Sequence, residues 1–177
     1  YAPYHQYWER PRLLLPPGGK SVLDRVVAPF SESPDFFEGA FRASEYDPTA
    51  LVDVGGLAIR FAQTRHPMPA YAISVEGGGR RFVFSADTAP AESVVLLARD
   101  ADLFVCESAI QYRQQDVPSG AHSTPTEAGE MGRRAGAKRL VLTHVWPEFE
   151  ERQVLDEASD AFGTPVELAR ENATYEV

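Results

Sequence analysis

Apolar positions in this chain follow two rhythms, and the change from one to the other falls near residue 90. Before it, short apolar runs alternate with polar residues at every second position, the period of a half-buried strand. Arg10 to Pro17 carries a three-leucine run bounded by prolines and reads as a short strand. Gly18-Gly19 then turns the chain into a helix with Val22, Leu23, Val26 and Val27 on one face, capped by Ser21 with Asp24 three residues on. Residues 31–49 are rich in Ser, Pro and Asp and predict a loop with one helical turn. Leu51–Val54 and Leu57–Phe61 flank Gly55-Gly56, a two-residue turn suited to positive φ. Ala70–Glu76 and Arg80–Ser85 flank Gly77-Gly78-Gly79, and the first of these strands is expected to bury its Tyr71, Ile73 and Val75 face.

After residue 90 strands and helices alternate. Helical spacing over Pro90–Asp100 leads to a strand at Ala101–Cys106. Thr124, Pro125 and Glu127 form a capping-box signature for the next helix. A strand follows at Arg139–Thr143, then an amphipathic helix at Phe149–Phe162 stopped by Gly163. Short strands are expected at Val166–Ala169 and Ala173–Val177. Hairpins first and strand–helix alternation later predict a mixed sheet with helices packed outside it, in one domain over residues 1–177.

Composition narrows the function classes. The chain is 44% hydrophobic, enough for a packed core, and no apolar run is long enough for a membrane-spanning helix. A formal net charge of -9 argues against a broad nucleic-acid surface. Cys106 is the single cysteine, in an apolar strand, so it reads as a core thiol; neither an intramolecular disulfide nor a cysteine-based zinc site is open to the chain. A cytoplasmic location is expected.

Polar residues with ligating chemistry sit where apolar strands end. His66 follows one strand, Asp87 ends Phe82–Ser85, and His144 ends Arg139–Leu142. Imidazole and carboxylate groups held at strand ends suit zinc-like ions, because rigid backbone keeps ligands in place. Each also has a plainer reading. A histidine at a strand end is commonly a surface or hydrogen-bonded residue, and Asp87-Thr88-Ala89-Pro90 serves equally as a helix cap. His5, among Tyr4, Gln6 and Tyr7, has no supporting neighbours.

Taken in order, however, His66, Phe84-Ser85-Ala86-Asp87-Thr88, Leu103–Ala109, His122-Ser123-Thr124 and Leu140-Val141-Leu142-Thr143-His144 resemble the later half of the metallo-β-lactamase-fold hydrolases. Ribonuclease Z-like members are the branch most alike, over about residues 57–177. The resemblance implies an α/β, αββα sandwich of mixed sheets with outer helices, lacking its N-terminal part. It implies His66 and His144 as ligands of two divalent metal ions, zinc or manganese, with Asp87 bridging them. Ala86 stands where the family has glycine, and Cys106 where a histidine precedes the Glu107 carboxylate. Glu107 is implied as the partner of His122, a non-ligand that assists the leaving group.

The family's His-x-His-x-Asp-His motif is absent from these residues, so the chain is expected to be part of a longer protein or a degenerate member, and to be inactive alone. The implied reaction is attack on phosphorus by a hydroxide held between the two ions. The short Gly77–Gly79 hairpin stands where ribonuclease Z carries a long tRNA-gripping insertion, which points to a small phosphodiester rather than tRNA as substrate. Lactone or thioester hydrolysis on the same fold, or a metal-free binding or assembly module, are the alternatives. A homodimer is expected, with Tyr1, Tyr4, Tyr7, Trp8, Phe36 and Phe37 as a cluster suited to cover a partner or the missing half of the protein, and no membrane association.

Overall fold

The structure, a computed structural model, describes residues 9–33, 36–111 and 120–177. His5 and the Tyr1, Tyr4, Tyr7 and Trp8 cluster lie outside the described residues. The chain divides into two compact units, Tyr1–Ala50 and Leu51–Val177.

In the first unit β1 (Arg12–Leu15) pairs in parallel with β2 (Arg42–Glu45), and α1 (Gly19–Val27) lies between them in sequence. Strand β2 falls where a loop was expected. Its Arg-Ala-Ser-Glu sequence has no β-branched or aromatic residue, so pairing with β1 rather than propensity makes it a strand. The same pairing explains the helix start. Ser21 does not cap α1; the cap is Gly18, at φ 81 and without a side-chain bond. The Lys20 N–H donates instead to Glu45 Oε1 at 3.0 Å, so a carboxylate on β2 satisfies the first turn. Those backbone donors, Gly18 and Lys20, also hold the Glu45 carboxyl below its ordinary pKa. Val22 and Val26 of the expected apolar face are exposed, while Leu23 and Val27 are half-buried.

The second unit is built on one seven-stranded sheet, ordered β3 (Val52–Val54), β4 (Leu57–Gln63), β5 (Tyr71–Gly77), β6 (Arg80–Phe84), β7 (Leu103–Glu107), β8 (Leu140–Thr143) and β9 (Glu167–Leu168). The first four strands are antiparallel and joined directly, as the glycine turns predict. From β6 to β9 the pairing is parallel, with α2 (Glu92–Leu97), α3 (Pro125–Ala135) and α4 (Glu151–Phe162) as the connecting helices. Residues 173–177 form no strand. Tyr175 pins this segment instead: its hydroxyl accepts from the Arg170 N–H at 2.9 Å and donates to the Leu168 carbonyl at 3.2 Å.

The core lies on one face of the sheet, where Val83, Phe104, Leu140 and Leu142 meet Val94, Met131, Val154 and Phe162 of the helices. The strand-face expectation for β5 is reversed. Ala72 and Ser74 are the fully buried side, and Tyr71, Ile73 and Val75 are half-buried. Helix α2 packs on β4 and β5. Thr124 caps α3 in a complete capping box with Pro125 at the first position, as predicted. Helices α3 and α4 touch at Gly129, where a Cβ would lie 2.4 Å from the Ala158 carbonyl oxygen. No helix among the described residues is long and apolar enough to cross a membrane.

Candidate metal centre

Strand direction places the site. Strand β4 runs antiparallel to β5, and β5 to β6, so β4, β6, β7 and β8 all point the same way. His66, Asp87, Glu107 and His144 follow or end these four strands and therefore gather at one edge, the carboxyl edge where open α/β sheets hold their ligands. His122 joins them from the entry to α3, two residues before its cap.

Two turns at this edge carry side chains in left-handed backbone. Ala86 has φ 51 and His144 has φ 58. Such φ values cost a non-glycine residue about 1–2 kcal/mol. Here they swing the chain sharply off β6 and β8 and bring Asp87 and His144 face to face. The same geometry explains why glycine suits position 86.

The three expected metal-site residues come together. His144 Nδ1 lies 3.2 Å from Asp87 Oδ1. The His122 ring stands between the other two imidazoles, 5.4 Å from that of His66 and 5.2 Å from that of His144 between centroids. Ligand atoms of His66, Asp87 and His122 lie within 4.8 Å of one another, and so do those of Glu107, His122 and His144. His122, expected as a non-ligand, thus belongs to both groups. Each group offers two imidazoles and one carboxylate, a donor set that fits a zinc-like divalent ion.

Each imidazole has its Nδ1 beside an oxygen. His122 Nδ1 is 3.0 Å from Glu107 Oε1, His144 Nδ1 faces Asp87, and His66 Nδ1 is 3.3 Å from the Met68 carbonyl. At His122 a proton on Nδ1 donated to Glu107 leaves Nε2 as the free lone pair, the arrangement by which outer partners set the tautomer of ligating histidines, whereas His66 Nδ1 also faces the Met68 N–H, at 3.3 Å.

Glu107 organises the edge. It is 1% exposed, yet both carboxylate oxygens are satisfied. Oε1 accepts from the Thr88 N–H at 2.8 Å and from His122; Oε2 accepts from the Ala109 N–H at 2.9 Å and the Ser123 N–H at 3.3 Å. Ser123 Oγ donates to the Thr88 carbonyl at 2.7 Å, and Thr88 Oγ1 accepts from the Arg65 N–H at 3.1 Å. One buried carboxylate therefore ties together the segments that carry Asp87 and His122. Sequence reasoning assigned Thr88 and Ser123 no part in this; the only trace was a small hydroxyl residue directly after Asp87 and after His122. Cys106, beside Glu107 but on the core face, is fully buried, and burial pushes its thiol far above the ordinary range, so it is a packing group.

A second polar cluster lies at the opposite sheet edge. Asp102 accepts from Lys138 Nζ at 2.8 Å, the Arg81 N–H at 2.8 Å and Arg80 Nη1 at 3.2 Å. Lys138 and the Arg81 amide hold its carboxyl well below the usual range, and the cluster clamps the start of β7.

Comparison with known proteins agrees with this geometry. Residues 8–145 match the family model described as beta-lactamase superfamily domain. The probable metallo-hydrolase YhfI of Bacillus subtilis is 33% identical over 132 residues, which span 74% of this chain and 53% of that protein. Its crystal structure, that of a metallo-beta-lactamase fold protein, superposes with a TM-score of 0.69 at 28% identity over 75% of this chain and 55% of that one. Ribonuclease Z of Haloarcula marismortui is 42% identical over 96 residues, 52% of this chain and 31% of that protein. Against YhfI the chain thus spans about half the length of its relative. The strand-end imidazoles and carboxylates, the mixed sheet and these matches agree, and the chain belongs to the metallo-β-lactamase superfamily, with ribonuclease Z among its relatives.

Proposed function

We propose that the protein carrying this chain is a metal-dependent phosphodiesterase acting on a small phosphodiester. The observation that supports the reading most is the meeting of His66, Asp87, His122 and His144 at one sheet edge, with Glu107 bonded to the middle imidazole. His66, Asp87 and His144 would hold two divalent ions, zinc or manganese, with further ligands from the rest of the protein. Such ions, when bound, supply Lewis-acid neutralisation of charge that develops on phosphoryl oxygens.

The chain's own residues do the remainder. Asp87 keeps the His144 ring oriented. Glu107 accepts a hydrogen bond from His122 Nδ1 and fixes that ring's orientation, so that Nε2 can deliver a proton to the departing oxygen. Proton delivery by a positioned imidazole contributes about 10²–10⁴-fold to such a reaction. The small-substrate preference rests on the tight β5–β6 hairpin at Gly78-Gly79, which is itself too short to serve as a tRNA-gripping arm.

The test is Asp87→Ala in the full-length protein, assayed on bis-p-nitrophenyl phosphate with metal content measured in parallel. Bound metal is expected to fall well below the parent's and hydrolysis to drop by at least about 100-fold, as expected when a metal that carries transition-state charge is lost. Undiminished hydrolysis by the variant overturns the reading.

A further inference from the structure

Beyond His144 the sheet edge opens into a cavity of about 250 Å³. Its walls mix polar and apolar groups, Thr143, Glu151 and Arg170 beside Val145, Phe149 and Leu168, and Trp146 stands at its side, 53% exposed. The Trp146 ring stacks on that of His144 with centroids 6.5 Å apart and planes 29° apart. The cavity is therefore continuous with the candidate metal centre through one aromatic contact. Its charged groups are Glu151 and the Arg170 guanidinium, which are bonded to each other.

Those features specify a ligand shape. A cavity of roughly 150 Å³ takes a benzene ring, so this one, at about 250 Å³, has room for a bicyclic ring with polar edges. A large indole left half in water is a platform for another flat ring, because stacking removes apolar area on both partners. The carboxylate and guanidinium offer an acceptor and donors to the edge of such a ring.

The other cavities lack this combination. The groove at the opposite edge is lined by charged residues such as Arg80, Arg81 and Lys138 and has no aromatic side chain in its lining. The groove in the first unit gathers Arg10, Arg12 and Arg42 around Phe41 and is remote in sequence from every ligating residue.

We infer that the cavity beside His144 is a specificity subsite that receives a planar aromatic group with hydrogen-bonding edges, a nucleobase, on an ester whose phosphate lies at His144, and that Trp146 is its stacking platform. The inference rests on the phosphodiesterase reading for the position of the phosphate.

Adenosine 5′-monophosphate and ribose 5-phosphate differ only by the base, and calorimetry on the full-length, metal-replete protein compares them without turnover. The nucleotide is expected to bind about 10-fold tighter or better, in keeping with the worth of one base stacked on an aromatic ring. Trp146→Ala should remove that advantage, a loss of roughly 5- to 100-fold for the nucleotide, and leave ribose 5-phosphate binding as it was. Trp146→Phe should restore most of it. Equal affinity for the two ligands in the parent, no binding of the nucleotide, or equal weakening of both by Trp146→Ala overturns the subsite. A parent that binds the nucleotide through Trp146 but leaves bis-p-nitrophenyl phosphate intact instead overturns the phosphodiesterase reading alone.

Discussion

Replacing Glu107 by glutamine is expected to destabilise the protein far more than removing the imidazole it holds. Four donors converge on the carboxylate: the N–H groups of Thr88, Ala109 and Ser123, and His122 Nδ1. Glutamine keeps the shape but replaces one oxygen with an NH₂ group. If that group takes the Oε2 place, the Ala109 and Ser123 amides both lose their acceptor. If it takes the Oε1 place, His122 can switch tautomer and accept, but the Thr88 amide remains unsatisfied in a buried site. A buried orphaned donor costs about 1–3 kcal/mol, and each surviving bond drops from the charged class, about 1.5–3 kcal/mol, to the neutral class, about 0.5–1.5 kcal/mol.

The sum is about 3–5 kcal/mol, a large part of an ordinary domain's stability of about 5–15 kcal/mol. Urea unfolding of the metal-free full-length protein, followed by circular dichroism, reads it directly. With a slope of about 2 kcal/mol per molar the midpoint should fall by roughly 2 M. His122→Ala leaves all three backbone donors in place and should cost only about 1–2 kcal/mol, while hydrolysis falls by about 10²–10⁴-fold. A Glu107→Gln variant within about 1 kcal/mol of the parent, or a His122→Ala variant equally destabilised, would refute the view of Glu107 as the tie between loops.

Three further outcomes follow from local geometry. Ala86→Gly should stabilise the fold by about 0.5–1 kcal/mol, because relief of the φ 51 strain exceeds glycine's extra chain entropy; thermal unfolding should shift up by a few degrees. Gly129→Ala should cost about 2–3 kcal/mol in urea unfolding, since the new methyl meets the Ala158 carbonyl oxygen at 2.4 Å and the backbones of α3 and α4 must separate. Asp102 has a folded-state pKa depressed by Lys138 and the Arg81 amide, so its stabilisation is complete above the unfolded value of about 4 and is lost as pH falls through the folded value. Asp102→Asn should therefore lower the melting temperature near neutral pH and flatten its decline on acidification below about pH 4, measured by scanning calorimetry.

Legibility of the sequence varied with the range of the forces involved. Features set by neighbours along the chain were readable: the Gly55-Gly56 and Gly78-Gly79 turns, the Thr124–Glu127 capping box, the Gly163 stop, and the alternation that marks β4 to β6. Features set by a partner across space were not. Strand β2 exists because β1 is beside it, and α1 starts where Glu45 reaches it. The buried face of β5 follows from the helix that covers it, so the small Ala72 and Ser74 win over larger apolar residues. At the site, the ligating side chains were visible as polar interruptions at strand ends. Their supports, the Thr88 and Ser123 amides, were invisible because a backbone N–H has no residue signature. The platform role of Trp146 required its ring to be seen against His144 and an open cavity.

The direction of the strands also sets an order of assembly. Strands β3 to β6 join through short local turns, whereas β7, β8 and β9 each wait for a helical crossover. Local pairings close early and long crossovers late. His66 and Asp87 belong to the hairpin half; His122 and His144 belong to the crossover half. A chain still emerging from the ribosome thus has His66 and Asp87 in place before His144, and the proposed site is complete only once the last crossovers have formed.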